Sequence, residues 1–142
     1  MKVYPDANIY VAYLLGQRGE ELADRFFKLG IGCKFSIVAS NTVFAEVAQR
    51  CGESGKILLQ KNIDDFTKAG KLELLLETPA IFDSADRINM ESGEKYGIND
   101  VIHVLLATAH ADVFITNDAG HARFASRYVK AVSLSEFLKS EP

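Results

Sequence analysis

Short apolar runs that end in turn or acidic residues alternate along the chain with longer segments in which apolar residues recur every three or four positions. That alternation predicts strands followed by helices in a largely parallel sheet, the α/β class. Residues 2–4 read as a first strand stopped by Pro5 and Asp6, after which Ile9, Tyr10, Tyr13 and Leu14 mark a helix as far as Gly16. A second helix is expected after Gly19, with Leu22, Phe26, Phe27 and Leu29 on its apolar face and Gly30 as its stop signal. Residues 35–39 form the next strand. Ser40 or Asn41 then caps a helix carrying Val43, Phe44, Val47 and Ala48 to Gly52, and Gly55 opens another that runs to Gly70.

Residues 72–76 predict a strand closed by Pro79, and residues 80–96 an amphipathic helix with Ile81, Ala85, Ile88 and Met90 inward, ended by Gly97. Asn99 and Asp100 open the next helix, residues 101–109, which is so apolar that it must be buried on most sides and forms the centre of the fold. A short strand over residues 113–115 is closed by Thr116, Asn117 and Asp118; a helix, a strand over residues 128–132 and a helix from Ser135 follow. Tyr10, Tyr13, Phe26 and Phe27, at helical spacing, are read as core.

A chain of 142 residues suits one domain, taken here as 1–142. With 48% hydrophobic and 25% charged residues it has the composition of a folded globular protein. Sixteen Lys and Arg against 19 Asp and Glu leave a net charge of −3, so binding to nucleic acid through broad positive charge is disfavoured. Any phosphate contact must be local, from a rim drawn from Arg18, Arg25, Lys28, Lys34, Arg50, Arg123, Arg127 and Lys130. Cys33 and Cys51 have no C-x-x-C spacing and are read as reduced structural residues. The apolar start is interrupted by Pro5, Asp6 and Asn8, unlike a signal peptide, and residues 101–109 are too few to cross a bilayer. A cytoplasmic protein without membrane attachment is expected.

Four acids stand where folding alone does not require a charge. Asp6, Asp100 and Asp118 each lie at a junction leading into a helix, where an aspartate also serves as an N-cap or turn residue. Glu46 lies inside a helix, where capping does not account for it, although a solvent-facing side of that helix does. Together the four can meet in the crevice outside the carboxyl ends of parallel strands, where open α/β sheets bind ligands. Carboxylates crowded there repel one another and need a cation. An oxygen-rich set without paired His or Cys selects Mg²⁺ or Mn²⁺, and phosphodiester hydrolysis is the chemistry such ions serve. Thr116 and Asn117 are candidates to contact a phosphate or a water, or to form a plain turn. His103, three residues after Asp100, reaches the same region or is a buried structural histidine. His110 and His121 carry weaker claims, and Asn8 reads as a cap.

The segments Val3-Tyr4-Pro5-Asp6-Ala7-Asn8-Ile9, Ser40-Asn41-Thr42-Val43-Phe44-Ala45-Glu46, Asn99-Asp100-Val101-Ile102-His103 and Val113-Phe114-Ile115-Thr116-Asn117-Asp118, with Phe124 beyond, resemble a PIN domain. That is the family of metal-dependent ribonucleases that includes the VapC-type toxins of toxin–antitoxin pairs. By resemblance, Asp6, Glu46, Asp100 and Asp118 match the family's acidic metal-binding quartet, and Thr116 matches a hydroxyl residue lining the same pocket. The resemblance implies a three-layer α/β/α sandwich around a parallel sheet of about five strands in the order 3-2-1-4-5. It further implies Mg²⁺- or Mn²⁺-dependent endonucleolytic cleavage of single-stranded or structured RNA, an antitoxin partner and a homodimer. Two other classes stay open on the residues alone: a PIN-fold module that binds metal, RNA or a partner without turnover, and phosphomonoester hydrolysis through an aspartyl phosphate, in which Asn8 stands where a second acid is needed.

Overall fold

The computed structural model describes residues 1–16, 19–32, 34–93 and 95–140. Strands β1 (Lys2–Pro5), β2 (Ser36–Ser40), β3 (Leu72–Leu75), β4 (Val113–Ile115) and β5 (Lys130–Val132) make one parallel sheet in the order β3-β2-β1-β4-β5. The expected α/β class and strand order are present. Val3 at the centre sits opposite Ile37 on one side and Val113 on the other. Parallel neighbours need crossovers, supplied by α1 (Ala7–Leu15), α2 (Glu20–Ile31), α3 (Asn41–Lys68), α4 (Pro79–Glu91), α5 (Ile98–His110) and α6 (Ala119–Ala125); α7 (Leu134–Ser140) follows β5.

The period-2 alternation of the strands divides the core into two layers. Val3, Ile37, Ala39, Val113 and Ile115 pack with residues of α1, α2, α3 and α7 on one face. Tyr4, Val38 and Phe114 point to the other face and pack with residues of α4, α5 and α6. As its apolar run predicts, α5 is buried along most of its length, through Val101, Ile102, His103, Val104, Leu106 and Ala107. Among the described residues no helix is long and apolar enough to cross a membrane.

Several boundaries differ from the sequence reading for local reasons. Gly30 does not stop α2 but lies buried inside it, where a Cβ would stand 3.1 Å from the rings of Phe35 and Phe66; the helix ends at Gly32. Leu22, 37% exposed, is not on the apolar face. The expected break after Gly52 is present as a kink, φ 68°, inside α3. Ser40 is both the last residue of β2 and the N-cap of α3, its hydroxyl accepting from the Val43 amide. Pro79 does not close β3; it begins α4 behind the cap Thr78, a first-turn position that needs no amide donor. That helix ends at Glu91, five residues before the expected end, and Met90 is 71% exposed. Gly97 is instead the N-cap of α5, and the last strand begins at Lys130, not at Tyr128. Cys51 is a buried free thiol, while Cys33 and Arg18 lie outside the described residues.

Candidate active site

The face of the sheet that carries Tyr4, Val38 and Phe114 also carries, one alternation further along, Asp6, Ser40 and Thr116. Asp6 follows β1 directly, and its amide still pairs with the Ile115 carbonyl at 2.8 Å, so the end of the strand fixes its backbone. Its side chain is the N-cap of α1, with Oδ1 accepting from the Ala7 amide at 2.8 Å. The other oxygen, Oδ2, accepts from Thr116 Oγ1 at 2.8 Å and from Asn8 Nδ2 at 3.3 Å, and it lies 3.1 Å from His121 Nδ1. The cap reading and the site reading of Asp6 therefore describe two oxygens of one buried carboxylate. Burial alone favours its neutral form, but the hydrogen bond from His121 together with that from Thr116 holds the carboxyl below its ordinary value.

Glu46, in the second turn of α3, is one-quarter exposed and places Oε1 3.7 Å from Nε2 of the fully buried His103 of α5. Asp6, Glu46 and His103 each offer a donor atom within 4.8 Å of the other two. His103 Nδ1 lies 2.9 Å from the Tyr4 hydroxyl, which lies 2.8 Å from Ser40 Oγ. Beyond Ser40, Glu77 accepts from both the amide and the hydroxyl of Thr42 at 2.7 Å.

Asp100, in the first turn of α5, and Asp118 stand beside this trio and not within it; together with Lys95, Gly97 and His121 they line one cavity. Burial raises the Asp100 carboxyl above its ordinary value; the negative charges of Asp6 and Glu46 push the same way and His121 opposes them. Asp118 is the exposed N-cap of α6, its Oδ1 accepting from the His121 amide at 3.0 Å. Asn117 Oδ1 accepts from the Leu134 amide at the start of α7, the turn role.

Three side chains take parts that the sequence reading did not assign. Asn8 is not a cap, since Asp6 is; its amide reaches Asp6 Oδ2 and Thr116 Oγ1, both at 3.3 Å. His121 bridges the Asp6 carboxylate and the Asp100 carbonyl, the latter at 3.0 Å. The signal available for it was its position three residues after the helix-capping Asp118, which turns the ring back over the strand ends. Lys95 supplies a positive charge at the cavity, while Lys28 of the proposed rim is paired with Asp24 at 2.7 Å.

A divalent cation suits these residues on chemical grounds. Two carboxylates and a ring nitrogen that has no hydrogen-bond partner among the described residues converge in a buried corner. Acceptors crowded this way are destabilising unless a cation or a proton lies among them.

No curated protein matches the chain in sequence. Solved structures resemble it at low identity. VapBC2 of Rickettsia felis, solved bound to a DNA fragment from their promoter, superposes with a TM-score of 0.67 at 18% identity, covering 94% of this chain and 98% of the other. VapC20 of Mycobacterium tuberculosis, described as a sarcin-ricin loop cleaving toxin, gives a TM-score of 0.67 at 13% identity over 90% and 97% of the two chains. FitAcB of Neisseria gonorrhoeae gives 0.60 at 16% identity over 94% and 98%. These likenesses are of fold. The sequence itself matches the PIN domain over residues 3–127, from β1 through α6 and including Asp6, Glu46, Asp100 and Asp118. The chain belongs to the PIN domain family.

Proposed function

We propose that this single-domain protein is a Mg²⁺- or Mn²⁺-dependent endoribonuclease that hydrolyses phosphodiester bonds of RNA, and the toxin of a toxin–antitoxin pair. The observation that carries the proposal is the meeting of Asp6, Glu46 and His103, from the end of β1, α3 and α5, within 4.8 Å of one another beside the cavity that Asp100 and Asp118 line. Asp6, Glu46, Asp100 and Asp118 would hold the ion. When bound, it supplies Lewis-acid stabilisation of the charge that builds on the phosphate.

The chain's own groups do the rest. Thr116, Asn8 and His121 keep Asp6 ionised and fixed in one rotamer. The partly exposed carboxylates of Glu46 and Asp100 orient the attacking water and take its proton as its oxygen bonds to phosphorus and the phosphorus–oxygen bond to the leaving nucleoside breaks. Lys95 contacts a phosphate at the mouth of the cavity.

The partner part of the proposal is supported by the neighbouring folds and by a groove between α1, α2 and the second half of α3. It is lined by Tyr13, Leu14, Phe27 and Leu58, the last 47% exposed, with Asp24, Lys28 and Asp65 among them, and it suits an amphipathic antitoxin segment. A homodimer is proposed with it, and light scattering at several protein concentrations reads both.

Purified protein mixed with transfer, ribosomal and unstructured RNA is expected to cut only when Mg²⁺ or Mn²⁺ is added, and Asp6→Asn and Asp118→Asn are expected to stop cutting while keeping the wild-type circular dichroism. Variants that cut as well as the wild type end the proposal. Tight metal binding without cleavage of any RNA identifies a binding module instead.

A further inference from the structure

A buried hydrogen-bond chain holds one ring nitrogen of His103 and leaves the other without a partner among the described residues. Glu77 is a carboxylate and only accepts; burial tends to raise its carboxyl, while hydrogen bonds from the Thr42 hydroxyl and amide, and from the Ser40 hydroxyl, hold it below its ordinary value. Ser40 Oγ accepts from the Val43 amide at 3.1 Å and shares a 2.8 Å hydrogen bond with the Tyr4 hydroxyl. The Tyr4 hydroxyl in turn shares a 2.9 Å hydrogen bond with His103 Nδ1. With Nδ1 donating to Tyr4, Nε2 presents a lone pair. It is buried, has no hydrogen-bond partner among the described residues, and faces Glu46 Oε1 at 3.7 Å with Asp6 alongside. A lone pair set against two carboxylates lacks only a cation. The pattern is that of metal-binding histidines, which donate their other ring N–H to a fixed acceptor.

We infer that His103 ligates the divalent ion through Nε2 beside Asp6 and Glu46, and that this mixed nitrogen and oxygen set turns the site from Mg²⁺ toward Mn²⁺ and the later first-row ions. The selectivity follows because imidazole is a better ligand for these ions than for Mg²⁺, which prefers oxygen donors and retains its waters. The inference rests on the reading that the acids form a metal site, and it adds a ligand that the acidic quartet does not contain.

The test is metal binding by the purified chain, read without RNA. Electron spin-echo modulation of bound Mn²⁺ is expected to show a directly coordinated nitrogen in the wild type and to lose it in His103→Gln. Calorimetry is expected to show Mn²⁺ affinity falling by about tenfold or more in that variant, with Mg²⁺ affinity changing much less. Tyr4→Phe, which removes the acceptor of the Nδ1 proton, is expected to weaken Mn²⁺ by about tenfold even where His103→Gln does not fold. Bound Mn²⁺ without nitrogen modulation, or His103→Gln with wild-type Mn²⁺ affinity, overturns the role of His103 and leaves the carboxylate site standing. A wild-type chain that binds neither ion overturns both.

Discussion

His121 faces Asp6 with one ring nitrogen and the Asp100 carbonyl with the other, at 3.1 and 3.0 Å. A carbonyl oxygen only accepts, so Nε2 carries a hydrogen; Asp6 Oδ2, which already accepts from Thr116 and Asn8, is an ionised acceptor for Nδ1. A His121 protonated on both nitrogens donates to both acceptors, which places a cation in the acidic corner. Burial works against this charge, but the hydrogen bond to Asp6 and that carboxylate's charge raise the imidazole above its ordinary value.

A pH dependence of the metal-free protein follows. With a raised folded-state value, the stabilisation from His121 is fully present below its unfolded value and is lost as pH rises through the folded one. Asp6, lowered, contributes above its unfolded value and loses its contribution as pH falls through the folded one. Unfolding free energies measured in chelator are expected to peak between these limits and to drop on the alkaline side. His121→Asn is expected to lose about 2 kcal/mol near neutrality and to abolish the alkaline drop. An unchanged alkaline limb in that variant places the titration elsewhere.

Thr116→Val removes the hydroxyl that donates to Asp6 and the oxygen that accepts from the Asp118 amide, the latter at 3.2 Å. The cost is expected to be about 1.5–3 kcal/mol in urea melts at neutral pH, the range for hydrogen bonds to charged groups. It is expected to shrink in acid, where Asp6 protonates, and to be smaller in an Asp6→Asn background than alone.

Ser40→Ala takes away the cap of α3 and removes the hydrogen-bond partner of the Tyr4 hydroxyl. The expected loss is at the upper end of the range for caps, about 2 kcal/mol. Thr78→Ala, which removes a longer 3.4 Å cap bond on exposed α4, is expected to cost about half of that. Equal losses in thermal melts argue against the wider role of Ser40.

Gly30→Ala raises helix propensity yet is expected to destabilise by about 1–3 kcal/mol, because overpacking a filled core outweighs the helical gain. The rings that the new methyl meets cannot yield easily: Phe35 is stacked on Phe26 at 4.8 Å, and Phe66 packs against Phe27 at 5.8 Å. Denaturant midpoints decide the sign.

The strands around Val3, Ile37 and Phe114 were legible because a buried parallel strand is a short apolar run, and the caps at Asp6 and Ser40 because capping chemistry is local. The order of the strands came from the resemblance alone. Gly30 and Gly97 were misread for one reason: a glycine's sequence position does not say whether it ends a helix, begins one or makes room for a ring. Met90 kept the helical period but pointed outward, since α4 buries only a narrow stripe.

The amino-acid sequence by itself determined the succession of elements and put acids at two strand-to-helix junctions and one helix start, because periodicity and turn chemistry act over a few residues. Only the tertiary structure decided that Asp6 meets His121, 115 residues away, that Asn8 reaches into the pocket, and that Asp100 and Asp118 stand beside the trio of Asp6, Glu46 and His103. Those relations depend on how far each parallel strand runs before its helix turns back. That distance is set by packing across the whole sheet, which no local pattern records.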